Sequence, residues 1–159
     1  MSEEENKRYF FNFSFFKIDP KWRWMADLAK EESARELENI LENAPVKIRT
    51  YSTLGLRDDA DFLIWCMSES IEDIQETISK IYLTVVGKYI TPSRVYLSST
   101  RESIYAKTNR IHSFVGGLEA KQYAVVYPFI KTREWYLLPL EQRKQMMDEH
   151  IKVSQKYPQ

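Results

Sequence analysis

Between Tyr9 and Asp19 the hydrophobic and polar positions of "YFFNFSFFKID" alternate imperfectly, and the apolar members are aromatic. Such a run reads as a strand that stops at Asp19-Pro20. From Pro20 the period lengthens. Trp24, Leu28, Leu37 and Leu41 fall on one helical face with charges between them, which predicts an amphipathic helix ending near Asn43, before Pro45. Its charged stretch, "KEESARELE", is the solvated side. Two strand-like runs follow, "VKIRTYSTLGL" and "DADFLIWCMS", around Gly55-Leu56-Arg57-Asp58-Asp59, and together they predict a hairpin. A second helix opens at Ser70, with Ser70 and Asp73 placed to cap its first turn. Ile71, Ile74, Ile78, Ile81 and Val85 form its stripe, and Gly87 is positioned to end it. A strand from Ser93 to Tyr105 closes the unit.

The predicted order is β-α-β-β-α-β, the ferredoxin-like split motif, so an α+β unit is expected over residues 1–105. Residues 106–120 carry Gly116-Gly117 and little periodicity, and read as a linker or a loop over a site. A new strand is expected from Lys121. It repeats the first one faintly: Tyr9 matches Tyr123, Phe13 matches Tyr127, Phe15 matches Phe129 and Lys17 matches Lys131. A tryptophan follows in each copy, Trp22 and Trp135, and then an amphipathic helix. Residues 121–159 thus supply the opening strand and helix of a second ferredoxin-like unit. An open half of this kind leaves a strand edge unpaired, so we expect the second unit to be incomplete in this sequence.

Composition narrows the possibilities. A length of 159 residues suits one domain and part of a second. The 23 basic and 23 acidic residues cancel, which removes the bulk positive field that nucleic-acid binding requires. No apolar run approaches the roughly 18 residues of a membrane span. The acidic start, "MSEEENKRYFF", is unlike a signal peptide and points to the cytoplasm. One cysteine, Cys66, excludes an intrachain disulfide and a cysteine zinc cluster, and is expected to be a buried core thiol. Aromatic residues reach 14%, which fits either a sheet-rich core or a large flat ligand lying against a sheet.

Candidate chemistry concentrates near the C-terminal end. In the helix "LPLEQRKQMMDEHIKVSQKY", Leu140, Met147 and Ile151 lie on one side, and His150 stands beside Ile151 at the border of that face. An imidazole there can ligate a metal if something large and flat covers the face, or be a surface histidine. Tyr127 and Lys131 are four residues apart, so on an extended strand both point to one side. A phenol and an ammonium together suit a carboxylate; they equally suit an aromatic packing position beside a lysine stem. Pro128 between them marks an edge or irregular strand. His112, in the linker, is a proton carrier or an unengaged loop residue. No glycine-rich phosphate loop, nucleophile elbow or HExxH motif is present.

The run "YPFIKTREWYLLPLEQRKQMMDEH" resembles the signature of the chlorite dismutase family, in particular its coproheme decarboxylase branch. The resemblance is dense from Tyr123 to Pro158 and diffuse over residues 7–105. It implies two ferredoxin-like halves of the dimeric α+β barrel type, one of them holding heme, in a homo-oligomer that in the family is a pentamer. It further implies that His150 is the proximal ligand of heme iron and that Tyr127 is the redox-active or proton-accepting group beside a propionate. Lys131 would pair with a propionate, Trp135 would pack near the porphyrin, and Tyr96 and Ser98 would lie near another propionate. The implied partners are coproheme and hydrogen peroxide, with heme b as product. The turn between Lys131 and Trp135 is shorter than in bacterial decarboxylases, and the family's distal residue and the acid partner of the histidine would fall beyond Gln159. Other readings are a chlorite-degrading enzyme or peroxidase of the same family, a non-catalytic heme carrier or sensor, and a ferredoxin-like interaction module without heme.

Overall fold

The structure, a computed structural model, describes residues 8–100, 122–154 and 156. The chain divides into two units, Met1–Arg101 and Glu102–Gln159. In the first, β1 (Phe10–Ile18), α1 (Asp27–Glu42), β2 (Lys47–Ser52), β3 (Phe62–Ser68), α2 (Ile71–Leu83) and β4 (Ile90–Ser99) follow one another. The sheet order is β2-β3-β1-β4, with every neighbouring pair antiparallel. This is the ferredoxin-like arrangement, and its fold class is α+β.

The pleat sorts side chains between two faces. Phe10, Phe16 and Ile18 of β1 join Ile48, Phe62, Ile64 and Cys66 against Leu37, Ile40 and Leu41 of α1 and Ile74, Ile78 and Ile81 of α2. Two polar residues interrupt the β1 series on this side. Asn12 and Ser14 are both buried, and the Ser14 hydroxyl donates to Asn12 Oδ1. That satisfied pair is why the alternation in the sequence is imperfect. Cys66 lies in the core as expected, and burial pushes its thiol up to about 12. On the other face, the Trp65 ring stacks between Phe11 and Phe13, at 6.3 and 5.8 Å, and Phe15 meets Tyr96 edge-on.

The first helix differs from expectation at its start. Pro20–Trp24 forms a 3-10 turn, capped by Asp19 accepting from the Lys21 amide at 2.8 Å, and the chain breaks at Met25 before α1 begins at Asp27. The break changes the helical phase, so Trp24 is 88% exposed and Leu28 is also exposed, while Leu37 and Leu41 pack on the core. The second helix opens at Ser70, whose hydroxyl accepts from Asp73 N at 3.1 Å. It ends earlier than Gly87. Thr84 caps it at Leu83, its hydroxyl donating to Ile81 O at 2.7 Å and accepting from Gly87 N at 2.9 Å. Gly87 instead permits a close approach: a Cβ there would stand 2.6 Å from Tyr82 O and nearer still to Ile81 O.

The β2–β3 connection is held by ionic contacts. Gly55 takes the turn at φ 76°. Asp61 Oδ2 accepts from Ile18 N at 2.8 Å while Oδ1 pairs with Lys17 Nζ at 3.2 Å. The Ile18 amide first, and then Lys17, holds the Asp61 carboxyl below the usual carboxylate range. Asp59 receives Arg57 through two 2.7 Å hydrogen bonds and Arg94 of β4 through one of 2.9 Å.

In the second unit, the segment expected to begin a strand at Lys121 joins no ladder among the described residues, 122–132 included. A strand exists only by pairing, and no partner strand accompanies this one among the described residues. Two helices follow, α3 (Arg133–Leu137) and α4 (Leu140–Ser154). The first unit's last strand runs Ile90–Ser99, starting earlier than the expected Ser93; residues 101–105, the 106–120 segment and His112 lie outside the described residues. Among the described residues, no helix is long and apolar enough to cross a membrane.

Candidate functional site

Thr132 sets the geometry of the second unit. Its hydroxyl accepts from Trp135 N at 3.3 Å, so α3 starts immediately after Lys131 and carries Trp135 within its first turn. The Glu134 carboxyl is held low by its own backbone amide and by the Thr132 hydroxyl. The short helix stops where Leu138 N donates to Trp135 O, and Pro139 then leads into α4, its carbonyl accepting from Arg143 N at 3.2 Å.

This local folding brings Lys131 back over Trp135. The Lys131 ammonium lies 3.9 Å from the centre of the Trp135 ring and 4.0 Å from Met147 Sδ. Arg143 comes to the same ring from α4, its guanidinium carbon 5.6 Å from the centre. Arg143 Nε is buried and has no hydrogen-bond partner among the described residues. Arg143 and Met147 are one turn apart, and His150 is seven residues beyond Arg143, which at about 100° per residue returns it to nearly the same side of α4. His150 is exposed, and Ile151 beside it is half-buried.

Tyr127 is 67% exposed and stacks on Phe129, two residues on, at 6.4 Å and 22°. It precedes Lys131 on the same segment. Of the residues singled out from the sequence, the structure therefore clusters Lys131 with Trp135 and sets His150 on the α4 stripe that Lys131 touches through Met147. Tyr96 and Ser98 belong to β4 of the first unit, opposite Phe13 and Phe11 of β1; Tyr96 is half-buried and Ser98 exposed. Arg143 went unnoticed in the sequence. Its only signal there is the seven-residue spacing to His150.

The chlorite dismutase family profile matches residues 30–159. The chain belongs to the chlorite dismutase family. It is 34% identical over 128 residues to the coproheme decarboxylase of Mycolicibacterium smegmatis (strain ATCC 700084 / mc(2)155), an alignment covering 80% of this chain and 55% of that protein. The chain thus spans little more than half the length of that curated relative. Chlorite dismutase from Candidatus Nitrospira defluvii in complex with imidazole superposes with a TM-score of 0.77 at 21% identity, over 94% of this chain and 66% of the other. A mutant of that enzyme in complex with cyanide gives 0.77 at 20% identity, over 94% and 65%. These similarities fix the fold.

Members of the chlorite dismutase family are heme proteins by the resemblance noted above, and the residues present fit an iron porphyrin. Such a group asks for one axial imidazole, cations for its edge carboxylates and an apolar or aromatic surface. His150, Arg143 and Met147 on α4, with Lys131 and Trp135 packed against that stripe, supply these types. The unpartnered Arg143 Nε is a donor still lacking an acceptor. No group of three or more His, Cys, Asp or Glu side chains that could hold a metal ion occurs among the described residues; a porphyrin iron asks the protein for an axial ligand only.

Proposed function

We propose that this chain is the porphyrin-holding part of an oxidoreductase that converts coproheme to heme b with hydrogen peroxide, by oxidative decarboxylation of two propionates. The observation that carries the reading is the 34% identity to a coproheme decarboxylase across 80% of the chain. In each step the bond to the carboxylate carbon breaks and carbon dioxide leaves. The carbon next to the ring loses a proton, a vinyl group forms, and the two electrons released reduce one peroxide to two waters.

When bound, the iron porphyrin supplies the electron-transfer chemistry with peroxide. The chain's own residues orient it. His150, on α4, offers a ring nitrogen to the iron. Lys131 holds a propionate by charge, steadied by the Trp135 ring and Met147. Tyr127, an exposed phenol on the segment leading to Lys131, would first give up a proton and an electron to the peroxide chemistry and then, as the phenoxyl radical, take a hydrogen atom from the carbon next to the ring; holding the phenol beside that carbon is a proximity effect. In this reading the protein works in the cytoplasm as a homo-oligomer.

The test is a titration of the full chain with ferric coproheme, followed by peroxide and mass analysis of the porphyrin. Stepwise loss of two carboxyl groups through a one-vinyl species supports the reading. Binding with no change of mass would make the protein a carrier or sensor. Tyr127→Phe should retain binding and lose decarboxylation; full activity in that variant would remove the tyrosine from the mechanism.

A further inference from the structure

Trp135 is approached by two cations. Lys131 stands 3.9 Å from its centre, and Arg143 brings a second guanidinium to 5.6 Å. One aromatic ring attracts a cation, but a second positive charge at the same ring adds repulsion unless an anion joins them. Arg143 also carries a buried Nε without a partner. Buried donors in folded proteins are almost always satisfied, so an orphan of this kind calls for an acceptor that is not among the described side chains. A guanidinium offers its donors in a fixed fork that matches a carboxylate.

Position adds the ligand's geometry. Arg143, Met147 and His150 follow one stripe of α4, and seven residues at about 1.5 Å rise separate Arg143 from His150 by about 10 Å. That is the scale of the distance from the centre of a porphyrin to a carboxylate on its rim. We propose that Lys131 and Arg143 form a two-cation carboxylate seat beside Trp135, with Arg143 the member that selects for a rim carboxylate on the side of α4 away from His150. The assignment rests on the porphyrin reading above. It makes Arg143 a specificity-determining residue: esterifying the carboxylates of the ligand should cost at least what removing the guanidinium costs.

The seat can be tested apart from iron chemistry with metal-free coproporphyrin, whose fluorescence reports binding. Arg143→Gln should bind it roughly 10- to 100-fold more weakly than the unaltered chain, the loss expected for one charge-assisted hydrogen bond. Arg143→Lys should recover part of that loss, and the tetramethyl ester of coproporphyrin should bind both proteins equally weakly. Equal affinity of Arg143→Gln and the unaltered chain for coproporphyrin would overturn the seat. So would discrimination against the ester that persists undiminished in Arg143→Gln. Should Arg143→Gln not fold, the ester alone decides: tight binding of it by the unaltered chain refutes the seat. Normal coproporphyrin binding without decarboxylation of coproheme would defeat the enzymatic reading and leave the seat standing.

Discussion

The ammonium of Lys131 sits 3.9 Å from the centre of the Trp135 ring, four residues further along the chain. The contact exists because Thr132 caps α3 between them, and it turns a flexible side chain into a placed charge. A double-mutant cycle with Lys131→Met and Trp135→Leu should give a coupling of about 0.5–1 kcal/mol in denaturant unfolding. Additive single effects would mean that the contact is not kept in solution.

His150→Ala should still bind ferric coproheme through the carboxylates, with an altered Soret band. Free imidazole added to the variant should restore the original spectrum, because it replaces the missing ligand atom. A spectrum unaffected by the substitution would move the axial ligand elsewhere.

Acid should act on the first unit through Asp61. Its carboxyl is held below the ordinary value of about 3.9 by the Ile18 amide and by Lys17. The unfolded chain therefore takes up a proton first as pH falls. The stabilisation is full above the unfolded pKa and is lost as pH drops through the folded one. Asp61→Asn should cost about 1–3 kcal/mol at neutral pH and flatten the decline in acid, measured by urea unfolding from pH 7 down to about pH 2. Parallel pH profiles for the two proteins would exclude the carboxylate as the source.

Gly87→Ala should destabilise by about 1–3 kcal/mol, since the new methyl meets the carbonyl oxygens of Ile81 and Tyr82, which are backbone and cannot rotate away. Thermal unfolding checks this. An unchanged midpoint would show that the 3-10 turn at Val86–Tyr89 shifts freely.

Local chemistry in the sequence located much of the fold. The Ser70 cap, the stop at Asn43 before Pro45 and the isoleucine stripe of α2 each depend on neighbours a few residues away, so a sequence displays them. Trp24 and Leu28 misled because a capped 3-10 turn reset the helical phase, an event that hydrophobic spacing does not record. Tyr123–Ile130 carries strand-like residues, but a ladder depends on a partner that local pattern cannot supply. Tyr127, Lys131, Trp135 and His150 were singled out through the family motif, and the Lys131–Trp135 contact is the part the structure displays. Arg143 was not, because an arginine in "EQRKQ" looks like any solvated helical charge until Trp135 is seen against it.

The central place of β1 in the sheet has a consequence for synthesis. Once made, β1 needs β3, which begins at Phe62, and β4, which begins at Ile90, before its two edges are hydrogen-bonded. Until then "FFNFSFF" is an aromatic, uncharged, β-prone segment with bare edges, the kind that self-associates. A nascent chain stalled before β4 would expose it, so the passage from Phe10 to Ser99 is an interval in which a chaperone would protect this protein.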